Sequence, residues 1–353
     1  MWIDASPVLA ATLIVCLAAA LPTPSAFGQP NSPVGPASYS GSDRDEKLRQ
    51  GAAHETELTL YSALAVEDDS AIVSAFEKKY AIKVSLWRAG SDEVRDRVLT
   101  EAAARRPHVD IVLDNYYALQ ALHRERLLHP VSSPLLADLL PQAIPPHREW
   151  AAVFLTVLGG GYNTNELKHG DLPSSYRDLL NVKPRGPIGV EAGDHNWFAA
   201  TCHALGEADC VDLFRSIGSR HGYSIRKGHT LLTNLVAAGE MPIALTVYRK
   251  AAVQLSQKGA AIDWFALQPM VSQPGAVALA RAAPHANSGV LFYDFMIGEA
   301  QAILGSRQFI VSTRKMDTPI DRNAIVVPDP DAALDEAKRR QEAFDAAFRP
   351  GAR

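Results

Sequence analysis

Cysteine is scarce, basic runs are absent, and the short signatures of nucleotide and hydrolase chemistry are missing. Three Cys in 353 residues cannot form a dense disulfide framework, so the fold must rest on a core. Lys+Arg number 35 against 39 Asp+Glu, a formal net charge of −4. Phosphate backbones are held by clustered cations, and none cluster here, which argues against a nucleic-acid partner. There is no Gly-x-Ser-x-Gly elbow, no Gly-x4-Gly-Lys-Ser/Thr loop, no His-Glu-x-x-His and no Gly-x-Gly-x-x-Gly after a strand. Their lack weakens an enzyme reading without closing it. The 11 His are scattered, and an isolated one such as His123 or His147 reads as a surface or internally satisfied side chain.

What is present is apolar sequence in quantity. Hydrophobic residues make up 47% and charged ones 21%, enough nonpolar surface to offset the entropy of ordering. At ~150 residues per domain the length suggests two domains. The stretch PVLAATLIVCLAAAL, from Pro7 to Leu21, is uncharged and shorter than the ~20 residues of a bilayer span, which fits the apolar part of an export signal. Ala26 and Gly28 stand as small residues before a cleavage point, so residues 1–28 read as a signal peptide. The region before the apolar run carries Asp4 and no Lys or Arg, so a retained anchor stays open. Leu13-Ile14-Val15-Cys16 is a poor lipidation box because Val15 is bulky. Cleavage would leave Cys202 and Cys210, an even pair that suggests a disulfide closing a Gly206-containing loop; two unbonded thiols are the alternative. Residues 29–56, rich in Pro, Ser, Gly, Asp and Arg, read as a flexible tether.

From residue 57 the pattern alternates. Residues 58–62 (LTLYS), 82–87 (IKVSLW) and 109–113 (VDIVL) are β-rich runs separated by segments of helical period, with Ile72, Phe76 and Tyr80 in one and Val94, Val98 and Ala102 in the other. This predicts β-α-β-α-β and a parallel sheet. Residues 153–158 run into Gly159-Gly160-Gly161, whose backbone freedom suits a hinge or crossing segment. Strands are then expected at 188–190, 243–248, 262–267 and 276–280, helices at 197–205, 211–219, 230–238 and 249–257, a long segment at 286–304 returning with the last strand to the first lobe, and a terminal amphipathic helix at 331–348.

In an open α/β sheet, ligands bind beyond the carboxyl ends of strands, where helix N-termini offer free N–H groups. The polar residues at these junctions are Ser62 after the first strand, Arg88 and Ser91 after the second, and Asp114 after the third. In the second half Asp194 and Trp197 follow one strand, and Tyr248 and Arg249 close another. Several have plainer roles available: Ser91 and Asp194 as helix caps, Trp197 and Tyr248 as packed rings, Arg249 as a solvated first turn. A guanidinium beside the cleft would bind a carboxylate or phosphate in two-pronged fashion.

On these segments the chain resembles the periplasmic solute-binding proteins of ABC transporters, in particular the ferric-ion-binding group. The resemblance covers about residues 58–315, from LTLYSALAVED through VDIVLDNYYALQALHRERLLHPV, GGGYNTNEL, GDHNWFAATCHALGE and LVAAGEMPIALTVYRKAA to LFYDFMIGEAQAIL, in order. It implies an α/β, two-lobed type II periplasmic-binding-protein-like fold, each lobe a mostly parallel sheet flanked by helices, joined by a hinge. Residues 57–155 plus about 268–310 would form lobe 1, and 156–267 plus about 311–353 lobe 2. It further implies a periplasmic, monomeric receptor that captures a small solute between closing lobes and delivers it to an inner-membrane permease.

The resemblance carries no catalytic residue and no true cofactor, only Fe(III) as possible cargo with a synergistic anion. Ferric binders of the group place a His after the first strand, an acid after the third and adjacent tyrosines after the strand that here reads IALTVYRK. This chain has Ala65 near the first position, Asp114 at the second and Tyr248 at the third, so Asp114 and Tyr248 would be the ligands if iron is the cargo. They leave Fe(III) under-ligated unless anions or water complete its shell. A small anion, organic acid or phosphonate is the other cargo class. A secreted enzyme using the same cleft, and a solute sensor for a receptor kinase, are the alternative functions.

Overall fold

The computed structural model describes, apart from Met1, residues 34–349. The signal peptide expected over residues 1–28, with its Gly28 cleavage point, lies outside the described residues. Two helices, α1 (Val34–Ser38) and α2 (Arg44–Glu55), come first. They occupy the stretch expected to be a tether, and α2 packs on a later helix, α10 (Ala286–Ile297). The reason is tertiary. The α2 sequence is polar, but Leu48 and Ala52 are buried, the almost fully buried Arg44 pairs with Asp294 at 2.8 Å, and Glu55 accepts the Asn287 and Ser288 N–H groups that open α10.

The first unit follows the expected order: β1 (Glu57–Ser62), α3 (Val66–Tyr80), β2 (Lys83–Arg88), α4 (Ser91–Ala103), β3 (Ile111–Asn115). All three strands are parallel, with β1 in the middle, so Leu60 lies beside Leu86 and Ile111. The crossover helices bury Ile72 and Phe76 on α3 and Val94 and Val98 on α4, as their four-residue spacing requires. Asn115 caps α5 (Tyr116–Arg124), its side chain accepting the Ala118 N–H. A short β4 (Leu128–His129) follows.

β5 (Trp150–Asn163) is the crossing strand. Residues Trp150 to Val157 belong to a first core, and Leu158 and Tyr162 to a second. Its three glycines serve close approach. None has a positive φ, and a Cβ would come 2.4 Å from Trp264 at Gly159 and 2.1 Å from Phe265 at Gly160. The second half then runs β6 (Ile188–Glu191), α6 (His195–Leu205), α7 (Glu207–His221), β7 (Tyr223–Arg226), α8 (His229–Ala237), β8 (Ile243–Tyr248), α9 (Arg249–Gln257) and β9 (Ile262–Phe265). β10 (Met270–Ala280) returns antiparallel to β5, pairing with β3 on its other side. The sheet order is β2-β1-β3-β10-β5-β8-β6-β7, so two parallel groups are joined through an antiparallel pair of long strands.

After α10 come α11 (Ala300–Ser306), β11 (Ile310–Val311), β12 (Ile325–Val326), α12 (Pro330–Asp335) and α13 (Ala337–Phe348). Val311 and Ile325 sit in the first core, whereas Phe344, Ala347 and Phe348 of α13 fill the second. The exchange between cores therefore falls later than the expected residue 311, because β11 pairs with β5 at Leu155 and Phe154. A disulfide joins Cys202 of α6 to Cys210 of α7.

Candidate binding site

The carboxyl ends of β1, β2 and β3 face those of β6 and β8 across a cavity of about 650 Å³. Arg88, Ser91 and Asp114 line it from the first core, and Asp194, Tyr248 and Arg249 from the second. Six of the eight residues proposed from sequence thus meet at one place. Trp197 does not. It is buried against Tyr176, Phe214 and Phe348, its indole N–H directed at the Tyr176 hydroxyl at 3.3 Å, so a ring expected at the cleft is core. Ser62 also stands behind the cavity wall. It is fully buried, donates to Asp69 at 2.7 Å and accepts the Leu64 N–H, closing the β1–α3 turn. Burial pushes Asp69 up to about 6 against the opposing pull of Ser62 and Arg88.

Asp114 is held in one orientation. One carboxylate oxygen accepts from Ser91 Oγ at 2.5 Å and the Asn115 N–H at 2.6 Å, and the other has no partner. Ser91 is the first residue of α4 and not its cap, which is Gly90. Burial raises Asp114 to about 6, although the Ser91 hydrogen bond works against it.

Three cleft residues, His229, Asp68 and Lys250, escaped the sequence reading. His229, first in α8, stacks on Tyr248 with ring centroids 4.0 Å apart. Its Nε2 lies 3.4 Å from Asp194 Oδ1, and its Nδ1 is 3.0 Å from the Thr246 carbonyl. Burial alone would lower its pKa, but the Asp194 carboxylate prevails and lifts it to about 9. Glu191 neighbours this pair, its two oxygens taken by the Gly193 and Gly228 N–H groups. Lys250 and Asp68 form an ion pair from α9 to α3. The missing signal was β7: with Tyr223–Arg226 unread as a strand, His229 did not count as a strand-to-helix junction.

Tyr248 donates to Gln273 Oε1 at 3.3 Å. Burial, then Asp194 and Glu191, hold its phenol well above the ordinary value, so it is a neutral hydroxyl until something positive displaces the proton. Arg249 keeps one guanidinium nitrogen, Nη1, buried and unpartnered. Glu191, Asp194 and His229 have ligand atoms close enough together to hold a metal ion, as do His123, His147 and Glu149. In the second group both His147 nitrogens are engaged, Nε2 with Gln120 and Nδ1 with the Glu149 N–H, which leaves no lone pair for a metal.

No protein-family model matches the chain. Among curated proteins, iron uptake protein A1 of Synechocystis sp. is 22% identical over 286 residues, 76% of this chain and 79% of that protein. The Fe(3+)-binding periplasmic protein of Serratia marcescens is 23% identical over 195 residues, 54% of this chain and 57% of that protein. Among solved structures, iron-bound HitA from Pseudomonas aeruginosa superposes with a TM-score of 0.66 at 22% identity, covering 82% of this chain and 98% of that one. AfuA from Actinobacillus pleuropneumoniae, with fructose-6-phosphate bound, gives 0.68 at 20% identity, covering 84% and 99%. With two parallel groups joined by the crossing strands β5 and β10, the chain has the type II periplasmic-binding-protein fold.

Proposed function

We propose that this chain is the solute-binding component of an ABC importer, exported by its N-terminal leader, taking up a small anionic solute between the two cores and presenting it to an inner-membrane permease. The observation that carries this reading is the cavity itself. Polar residues from both cores face it, and three of their buried atoms, on Asp114, Asp194 and Arg249, have no partner within the protein. Buried polar groups are ordinarily satisfied, so unpaired ones facing a cavity suit a ligand. The two long strands β5 and β10 pass from core to core and are the natural hinge, and closure would be favoured by contacts made only when both cores touch the solute.

The relatives named for iron favour Fe(III) as cargo. Asp114 and Tyr248 would then be protein ligands, and an anion on Arg249 would complete the shell. The charge around the site favours an anion without metal. Arg249 follows Tyr248 directly, and the ring stacked on Tyr248 is the His229 imidazolium. These cations oppose a trivalent ion. An enzyme in the same cleft is less well supported, because both nitrogens of His229 already face Asp194 and the Thr246 carbonyl and leave no free base.

Thermal shifts on the stripped mature chain test the proposal. Stabilisation is expected from small organic anions, and Arg249→Met should remove it. A visible tyrosinate-to-iron absorption band, lost in Tyr248→Phe, would instead identify Fe(III) as the cargo.

A further inference from the structure

The unpartnered atoms in the cleft differ in kind. Arg249 Nη1 can only donate, whereas Asp114 Oδ2 and Asp194 Oδ2 are carboxylate oxygens. Each carboxylate is fixed by its other oxygen: Asp114 by Ser91 and Asn115, Asp194 by His229. Lys250 does not add to the cationic side, since it is paired with Asp68, which also receives Arg307. The neighbour of Arg249 is therefore a neutralised lysine, and the buried unpartnered atoms on these cavity-lining residues are one cationic donor and two acceptors.

A plain oxyanion satisfies Arg249 and leaves two buried carboxylate oxygens facing its own charge. A bare cation satisfies the carboxylates and faces the guanidinium. We infer that the solute is an organic anion that also carries hydrogen-bond donors, an ammonium or hydroxyl group, with Arg249 taking its oxyanion and Asp114 and Asp194 taking its donors. This inference rests on the anion-binding reading above and narrows it to a class. A site built to pair a donor rejects the analogue that lacks it, because the site's own polar atoms are then left unpaired.

Matched solutes test it by titration calorimetry on the stripped, unmutated mature chain: phosphoethanolamine against ethyl phosphate, glycerol 3-phosphate against propyl phosphate, γ-aminobutyrate against butyrate, and Fe(III) citrate. The expected result is that the donor-bearing member of at least one pair binds tenfold or more tightly than its analogue, about the worth of one charge-assisted hydrogen bond. Asp114→Asn and Asp194→Asn should shrink that ratio, with the donor-free analogue binding at least as tightly as to the wild type, because each change removes a negative charge that faces its oxyanion. Equal binding within every pair overturns the inference and leaves the anion-binding reading standing. Binding of Fe(III) citrate alone overturns it in favour of metal. Binding of none of these overturns both.

Discussion

Lys250, the second residue of α9, sets its ammonium on the carboxylate of Asp68 in the first turns of α3. This joins a helix beside the second core to a helix of the first. Arg307 reaches the same carboxylate, Gln254 of α9 donates to the Arg307 carbonyl at 3.2 Å, and Lys250 lies 4.0 Å from the centre of the Phe309 ring. Asp68 is 1% exposed, so water does not substitute for these partners.

The pair joins helices of the two cores at residues that line the cavity, and a separation of the cores has to break it. Lys250→Met leaves Asp68 with Arg307 alone and should favour the open form. Small-angle scattering of the unliganded variant is expected to give a larger radius of gyration than wild type, with solute affinity weakened roughly tenfold. Unchanged scattering and affinity would mean that the pair holds nothing closed.

His229 gives a pH dependence with a definite sign. Burial pulls its pKa down, but Asp194 lifts it to about 9, above its unfolded value. Its contribution is therefore complete below about pH 6.5 and lost as pH rises through about 9, on the order of 3 kcal/mol. The melting temperature of the unliganded chain should fall across that window, and His229→Gln should flatten the curve there. An identical slope in the variant assigns the effect elsewhere.

Asp69 works in the opposite region. Burial raises it to about 6, so the folded state holds its proton more strongly than the unfolded chain does. Stability from this group is present at low pH and lost as pH rises from about 4 through 6. Asp69→Asn, which can still accept from Ser62, is expected to raise stability at pH 7 by about 1–3 kcal/mol in urea unfolding. Destabilisation at pH 7 would contradict this.

Trp197 separates core from cleft. Trp197→Phe removes the hydrogen bond to Tyr176 and part of a packed ring, and should cost about 1–3 kcal/mol of stability. Affinity for whichever solute stabilises the wild type should stay within about twofold. A large affinity loss without destabilisation would return Trp197 to the binding site.

The local grammar of this chain was legible where strands and crossovers set it. The bounds of β8 and α9 match the periodic reading, because the apolar run ending at Tyr248 and the turn to Arg249 leave one choice. Six cleft residues were found by the junction rule alone. What the sequence concealed were contacts made across it. α2 carries too few apolar residues to predict a docked helix, and its place depends on Asp294 and on residues 287–288, more than 200 positions away. Trp197 sits at a helix start, where both core and cleft are open to it, and only packing by Tyr176, Phe214 and Phe348 decides. Asp68 and Lys250 stood inside quoted segments, yet their pairing spans 182 positions, which no local pattern reports.

Capture of a solute by the two cores is tested most directly by equilibrium titration of the stripped mature chain, with mass spectrometry of the solute recovered after denaturation. The account predicts one solute bound per chain, recovered unchanged, with binding abolished in Arg249→Met. A solute released chemically altered, or binding indifferent to Arg249, would contradict it.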